Sequence, residues 1–151
     1  MRHGPAEDVA PSGRDFDRAL TSSGRARVRM VADELVKRGE APKLILSSPL
    51  VRALQTAEIV AAACEVDEPV VVRREIAPGG DMGSLLREHL LGGSRRVMLV
   101  GHEPDMSGLV GELVAFRGGM EKAMVVGVRL SDGSAATMRF VYDPKTLVWK
   151  S

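Results

Sequence analysis

Two histidines and two arginines stand where the chain could assemble chemistry on an anion. They occur in Arg2-His3-Gly4, in Ser47-Ser48-Pro49-Leu50-Val51-Arg52 and in Gly101-His102-Glu103-Pro104. These residue types suit phosphoryl transfer. A phosphoryl dianion carries about two negative charges and several acceptor oxygens. Arginine offers it a planar fork of donors and stays charged at any working pH. An imidazole with an ordinary pKa of about 6.5 is available as a neutral nucleophile. A second imidazole donates to the oxygens as charge builds on them. The free N–H groups of a helix opened by Ser48 favour an anion as well. The arginines supply the positive charge, so neither a metal nor another cofactor is expected.

For these residues to meet, different elements must end at one place. Leu44-Ile45-Leu46, Val70-Val71-Val72 and Val97-Met98-Leu99-Val100 are short apolar runs, as buried parallel strands require. Helices alternate with them. Thr21 caps a helix reaching about Arg38, with Met30, Val31 and Leu35 turned inward and Gly39 at its C′ position. Ser48 and Pro49 read as the N-cap and first residue of a second helix. Its apolar face is read as Leu50, Leu54, Ala57, Ala61 and Cys64. Asp81 caps a third helix to about Leu91, and a fourth runs from about Asp105 to Val114. Met124 to Leu130 and Ala135 to Tyr142 read as a hairpin turned at Ser131-Asp132-Gly133-Ser134. Alternation of this kind implies an α/β fold with a largely parallel sheet, and ligands there bind beyond the carboxyl ends of the strands. His3, Arg52 and His102 would all sit at such ends.

Composition narrows the function classes. The chain has 151 residues, enough for one domain over 1–151 with a sizeable core. Its formal net charge of +1 gives no global preference for nucleic acid or membrane. A single cysteine, Cys64, excludes an internal disulfide and suits a reducing compartment. With no apolar run of transmembrane length and no signal-peptide pattern, the expectation is a cytoplasmic protein. Other candidates read more simply as structure. His89 falls on the helix stripe of Met82, Leu85 and Leu86. Arg25, Arg27 and Arg29 spread around a helix. Gly79-Gly80 and Gly118-Gly119 are turns.

Taken together, the motifs resemble those of the histidine phosphatase superfamily, which also holds the phosphoglycerate mutases. Arg2-His3-Gly4 resembles its RHG signature. Asp17-Arg18-Ala19-Leu20-Thr21-Ser22-Ser23-Gly24 is similar to the D-x-R-x-L-T-x-x-G segment of its SixA-type phosphohistidine phosphatases. Ser47 to Ala57 resembles their SSPxxRAxQTA segment, and Val100 to Pro104 their VGHEP. The resemblance implies a three-layer α/β/α sandwich with a mostly parallel central sheet, phosphoglycerate mutase-like. It implies His3 as the nucleophile, and Arg2, Arg52 and His102 as the groups that hold and neutralise the phosphoryl group. Arg18 lines the pocket, and Gly4 and Ser48 belong to the substrate-binding motifs. Glu7 and Asp81 are the carboxylates to inspect as an acid for the leaving group, although each also reads as a solvated loop charge, and Asp81 as an N-cap.

The family normally has a strand directly before RHG, whereas only Met1 precedes Arg2 here. Either the start lies upstream, which is the expectation, or the first strand is reduced to almost nothing. In the second case neighbouring sheet edges go unpaired and nothing fixes His3 as firmly as Arg52 and His102. Three functions follow. The first is a phosphohistidine phosphatase acting on a phosphorylated signalling or phosphotransfer protein. The second is a phosphatase of small phosphate esters, and the third a non-catalytic phosphate-binding module. Neither nucleic acid nor a membrane is expected as a partner.

Overall fold

Thr21 opens the first helix as its side chain dictates, with its Oγ1 accepting the Gly24 N–H at 2.9 Å. A computed structural model describes residues 1–91, 96–131 and 134–151. Helix α1 spans Ser22–Lys37, β1 Leu44–Ser47, α2 Val51–Ala63 and β2 Val71–Val72. Then come α3 at Met82–Leu91, β3 at Val97–Val100 and α4 at Asp105–Leu113. Three strands close the chain: β4 at Val125–Ser131, β5 at Ser134–Asp143 and β6 at Val148–Lys150.

The fold is α/β, but its sheet is not mostly parallel. One three-stranded sheet has the order β2-β1-β3 and is parallel. A second has the order β4-β5-β6 and is antiparallel. The physical reason is connection length. Helices separate the parallel strands, whereas β4, β5 and β6 follow one another through short connections that reverse the chain. The sequence reading anticipated β4 and β5 but not β6, which is only three residues long. The turn expected at Asp132-Gly133 lies outside the described residues.

Two apolar clusters cover the two faces. Ile45, Met98 and Val100 meet Val31 and Leu35 of α1 and Ala53, Ala57 and Val60 of α2. Leu46 and Leu99 meet Leu85 of α3 and Met106 and Val110 of α4. Side chains alternate along β1 and β3, so each strand feeds both clusters. The inward face of α1 is Val28, Val31, Ala32 and Leu35. Met30 is 37% exposed and does not turn inward as expected. It lies off the stripe that Val28, Val31 and Leu35 define at helical spacing. The buried face of α2 is Arg52, Ala53, Thr56, Ala57 and Val60. It is rotated from the expected stripe, and Leu54, Ala61 and Cys64 are only half-buried.

At the far edge, the Trp149 ring of β6 stacks on Phe140 at 4.3 Å between centroids and lies 4.6 Å from the Arg38 guanidinium. Among the described residues, no helix is long and apolar enough to cross a membrane.

Candidate active site

Strand ends and the amino-terminal segment deliver the three motifs to one crevice. The rings of His3 and His102 stand 5.2 Å apart, centroid to centroid. His102 Nε2 lies 2.7 Å from Ser48 Oγ. The Gly4 N–H donates at 3.0 Å to Thr56 Oγ1, which in turn donates to the Arg52 carbonyl at 2.7 Å. His3, Ser48, Arg52, Thr56 and His102 are all buried.

His3 is fixed by its main chain, contrary to the expectation from sequence. Its N–H donates to the Gly101 carbonyl at 3.0 Å, and its carbonyl accepts the Ala123 N–H at 3.0 Å. Neither partner is visible in a sequence pattern, because both are backbone atoms brought up by the fold. Gly4 follows with α1 directly behind it. A β-carbon at Gly4 would meet Val28 Cγ2 at 2.6 Å, so glycine there is a packing requirement.

The hydrogen bonds assign the ring nitrogens. His3 Nδ1 lies 2.7 Å from the Gly4 carbonyl oxygen. A carbonyl can only accept, so Nδ1 carries the hydrogen and Nε2 keeps its lone pair. Burial, assisted by the charges of His102, Arg52 and Arg2, pushes the His3 pKa down to about 3 despite the opposing bond to Gly4. The ring is therefore neutral at physiological pH. Burial and then the Arg52 charge push His102 down to about 4. Ser48 Oγ accepts the Leu50 N–H at 3.3 Å and pairs with His102 Nε2 at 2.7 Å, the tautomer of His102 deciding which of the two atoms donates. His102 Nδ1 is buried without a hydrogen-bond partner.

This use of Ser48 corrects its expected role. Helix α2 begins at Val51, with Leu50 as its N-cap and no side-chain cap. The Ser48 hydroxyl is committed to His102 and to a tight turn through Pro49, so helix geometry starts three residues later.

The arginines divide into two groups. Arg2 donates through one terminal nitrogen to the Met120 carbonyl at 2.7 Å, and its Nε is buried without a partner. Arg52 donates to the Asp15 carbonyl at 2.9 Å and to Asp15 Oδ2 at 3.1 Å, and its Nε also lacks a partner. Arg18 binds the other carboxylate oxygen of Asp15 at 2.8 Å and the Glu7 carbonyl at 2.6 Å. Arg18 thus reaches the crevice through Asp15. Burial raises the Asp15 carboxyl, but the bond from Arg18 and the charge of Arg52 outweigh it and hold the carboxyl below its ordinary value.

Asp15 and Thr56 escaped the sequence reading. The signals were the three-residue step from Asp15 to Arg18 and the one-turn step from Arg52 to Thr56. The two carboxylates considered as acids hydrogen-bond to main-chain amides. Asp81 is exposed and caps α3, its Oδ1 accepting the Ser84 N–H at 3.0 Å. Glu7 is half-buried, and its carboxylate lies 3.4 Å from the Ala19 amide. Among the described residues, no group of three His, Cys, Asp or Glu side chains is placed to hold a metal ion.

The chain is similar to known proteins over most of its length. The profile of the histidine phosphatase superfamily (branch 1) matches residues 1–79. An uncharacterized protein of Picosynechococcus sp. is 39% identical over 137 residues, covering 85% of this chain and 82% of the relative. Phosphohistidine phosphatase SixA of Escherichia coli is 34% identical over 116 residues, covering 75% of this chain and 71% of the relative. A solved structure of the protein histidine phosphatase SixA complexed with tungstate superposes with a TM-score of 0.87 at 28% identity. It covers 98% of this chain and 97% of that one.

Proposed function

The chain belongs to the histidine phosphatase superfamily, and on that footing we propose that it hydrolyses protein phosphohistidine through a covalent intermediate on His3. The observation that carries this reading is a neutral His3, with a free lone pair on Nε2, in one crevice with three buried nitrogens that lack protein partners. They are Arg2 Nε, Arg52 Nε and His102 Nδ1, and the reading takes Nδ1 as the N–H of the neutral ring. A buried donor without an acceptor costs about 1–3 kcal/mol, and a phosphoryl group supplies acceptors on several sides. The tungstate held by the SixA relative is an oxyanion of comparable shape.

In the first step the His3 Nε2 lone pair forms a bond to phosphorus as the bond to the leaving group breaks. Arg2, Arg52 and the His102 N–H hold the oxygens while charge builds on them. In the second step water attacks phosphorus. The bond to Nε2 breaks, and inorganic phosphate leaves with the neutral imidazole restored.

Substrate choice turns on the leaving group. No carboxylate hydrogen-bonds to His3 or His102 among the described residues, and Asp15 is held ionised by two arginines. A site poor in acid suits a phosphoramidate, whose departing imidazole nitrogen takes a proton readily from water. A phosphate ester with a poor leaving group needs more help. We place the reaction in signalling or phosphotransfer on the same reasoning.

A substrate panel tests the proposal, with an aryl phosphate, a sugar phosphate, a nucleotide and a histidine-phosphorylated protein. The expected result is turnover of the aryl phosphate, faster turnover of the phosphoprotein and competitive inhibition by tungstate. Preference for the sugar phosphate or nucleotide would move the substrate to small esters. No hydrolysis of any substrate would leave a phosphate-binding module.

A further inference from the structure

The two imidazoles of the crevice have opposite tasks toward one phosphoryl group. His3 needs a lone pair toward phosphorus. The oxygens of a phosphoryl dianion only accept, so His102 needs an N–H toward them. For His3 a main-chain acceptor settles the matter, because the Gly4 carbonyl holds the hydrogen on Nδ1. His102 has no such acceptor among the described residues. Its Nδ1 is buried without a partner, and its Nε2 lies 2.7 Å from the Ser48 hydroxyl.

Ser48 is held firmly at that spot. It is fully buried, and its N–H donates at 3.0 Å to the carbonyl of Val100, two residues ahead of His102. Its carbonyl accepts the Ser47 hydroxyl at 2.9 Å. Among the described residues its Oγ has two hydrogen-bond neighbours, the Leu50 N–H and His102 Nε2. An amide N–H can only donate, so Nε2 is the acceptor available to the hydroxyl hydrogen.

Two arrangements are open to this pair, and they leave different groups unpartnered. With the His102 hydrogen on Nε2, that N–H donates to Ser48 Oγ. The hydroxyl hydrogen then finds no acceptor, and the Nδ1 lone pair finds no donor. With the hydrogen on Nδ1, Ser48 donates to Nε2 and accepts from Leu50. Only the Nδ1 N–H is then left over, and an anion in the crevice supplies its acceptor. Buried polar groups are costly to leave unpartnered, so the second arrangement is favoured. The surrounding charges do not substitute for the hydroxyl. Burial and the charges of Arg52 and Arg2 disfavour an imidazolium at His102 and outweigh Asp15 and Asp105, which favour one. The His3 ring, 5.2 Å away, is neutral too. A neutral His102 has one ring hydrogen, and its place decides what the ring offers a ligand.

We propose that Ser48 is a positioning residue, whose hydroxyl donates to His102 Nε2 and thereby keeps the ring hydrogen on Nδ1 for the phosphoryl oxygens. The inference rests on the phosphoryl-transfer reading of the crevice and deepens it. It gives Ser48 a role exercised through His102, distinct from the ligand contact that its place in the motif implied. The two rings then share one tautomer and turn opposite edges to the substrate.

The test reads the ring nitrogens by magnetic resonance in the full chain with isotope-labelled histidine. In the wild type, His102 Nδ1 should carry the hydrogen and Nε2 the lone pair. In Ser48→Ala the hydrogen should move to Nε2 in a large share of molecules. Sulfate is the ligand probe, because its oxygens only accept and it stays a dianion from neutral to mildly acidic pH. Its affinity for Ser48→Ala should be about 10-fold below wild type near neutral pH. At about pH 5 that deficit should shrink to about threefold or less, because an imidazolium carries a hydrogen on both nitrogens. A wild-type ring with its hydrogen on Nε2 would overturn the proposal, and it does so even where Ser48→Ala does not fold. The wild-type tautomer in Ser48→Ala would overturn it as well. So would a sulfate deficit that is the same at both pH values, since that marks a merely structural loss. None of these readouts needs turnover, so a chain that hydrolyses nothing would strike the reaction assigned above while the ring resonances and sulfate still decide the role of Ser48.

Discussion

The crevice has two unlike walls. On the strand wall, Arg2, His3, Ser48 and His102 sit where backbone ladders and buried hydrogen bonds leave them little freedom. On the loop wall, residues 12–18 reach the site through ion pairs: Arg14 with Asp17, Arg18 with Asp15, and Asp15 with Arg52. The Asp15 side chain is 63% exposed, while the Arg52 side chain it binds is 8% exposed. Groups that must hold a reacting atom to a fraction of an ångström belong on the first wall. Groups that admit and orient a substrate can belong to the second. Arg52 stands between them, rooted in α2 and tethered by the loop.

The largest test of this division is His3→Ala. It should abolish turnover while leaving the melting temperature within a few degrees, since little core volume is lost. In wild-type enzyme quenched during turnover, labelled phosphate should sit on His3 and be lost in acid. Label that survives acid on a serine or aspartate would remove the strand wall from the chemistry.

Next comes Arg52→Lys. The charge stays but the fork is lost, and kcat/KM should fall on the order of 10²–10³. Near wild-type kcat/KM would place Arg52 with the loop wall alone.

Acid separates the walls without mutation. His3 and His102 have folded pKa values of about 3 and about 4, below their ordinary 6.5. Below pH 6.5 the unfolded chain binds protons that the folded one refuses. Their contribution to stability is therefore whole above pH 6.5 and drains away as pH falls toward 4. Each imidazole accounts for at most about 1.4 kcal/mol per pH unit in that window. Asp15 has a depressed carboxyl pKa, so its contribution is lost only at lower pH, as its folded pKa is crossed. Denaturant midpoints should fall between pH 6.5 and 4.5 and fall less in His3→Asn. A wild-type midpoint constant over that range would show that the strand wall is not desolvated.

Asp15→Asn should do less. The pair with Arg52 is open to solvent on the Asp15 side, which limits its worth to about 1 kcal/mol, so KM should rise by no more than about fivefold with kcat nearly unchanged. A hundredfold loss in kcat would make the loop wall part of the catalytic machinery. Arg14→Ala is the smallest change, expected within about 0.5 kcal/mol of wild-type stability because the pair is exposed.

What the sequence made legible follows the same division. Short-range chemistry was readable: the Thr21 cap, the apolar runs of β1 and β3, the Gly-His pair at the end of β3 and the His-Gly pair near the amino terminus. Long-range geometry was not. Asp15 meets Arg52 across 37 positions, and Ser48 meets His102 across 54. Serine before proline usually caps a helix, and no local pattern shows that another histidine has claimed the hydroxyl. β6 was too short to stand out as a run, and Met30 differed from its buried neighbours only by its angle on α1.

The chain's single tryptophan has a practical consequence for anyone who studies it. Trp149 is stacked between Phe140 and Arg38, and none of its ring partners belongs to the crevice. Its emission is therefore a clean reporter of whether the last strand stays docked on its neighbours. It should be nearly blind to tungstate or phosphate. A titration that leaves fluorescence flat says nothing against binding, and the ligand is better followed by calorimetry or by the ring resonances of His3 and His102.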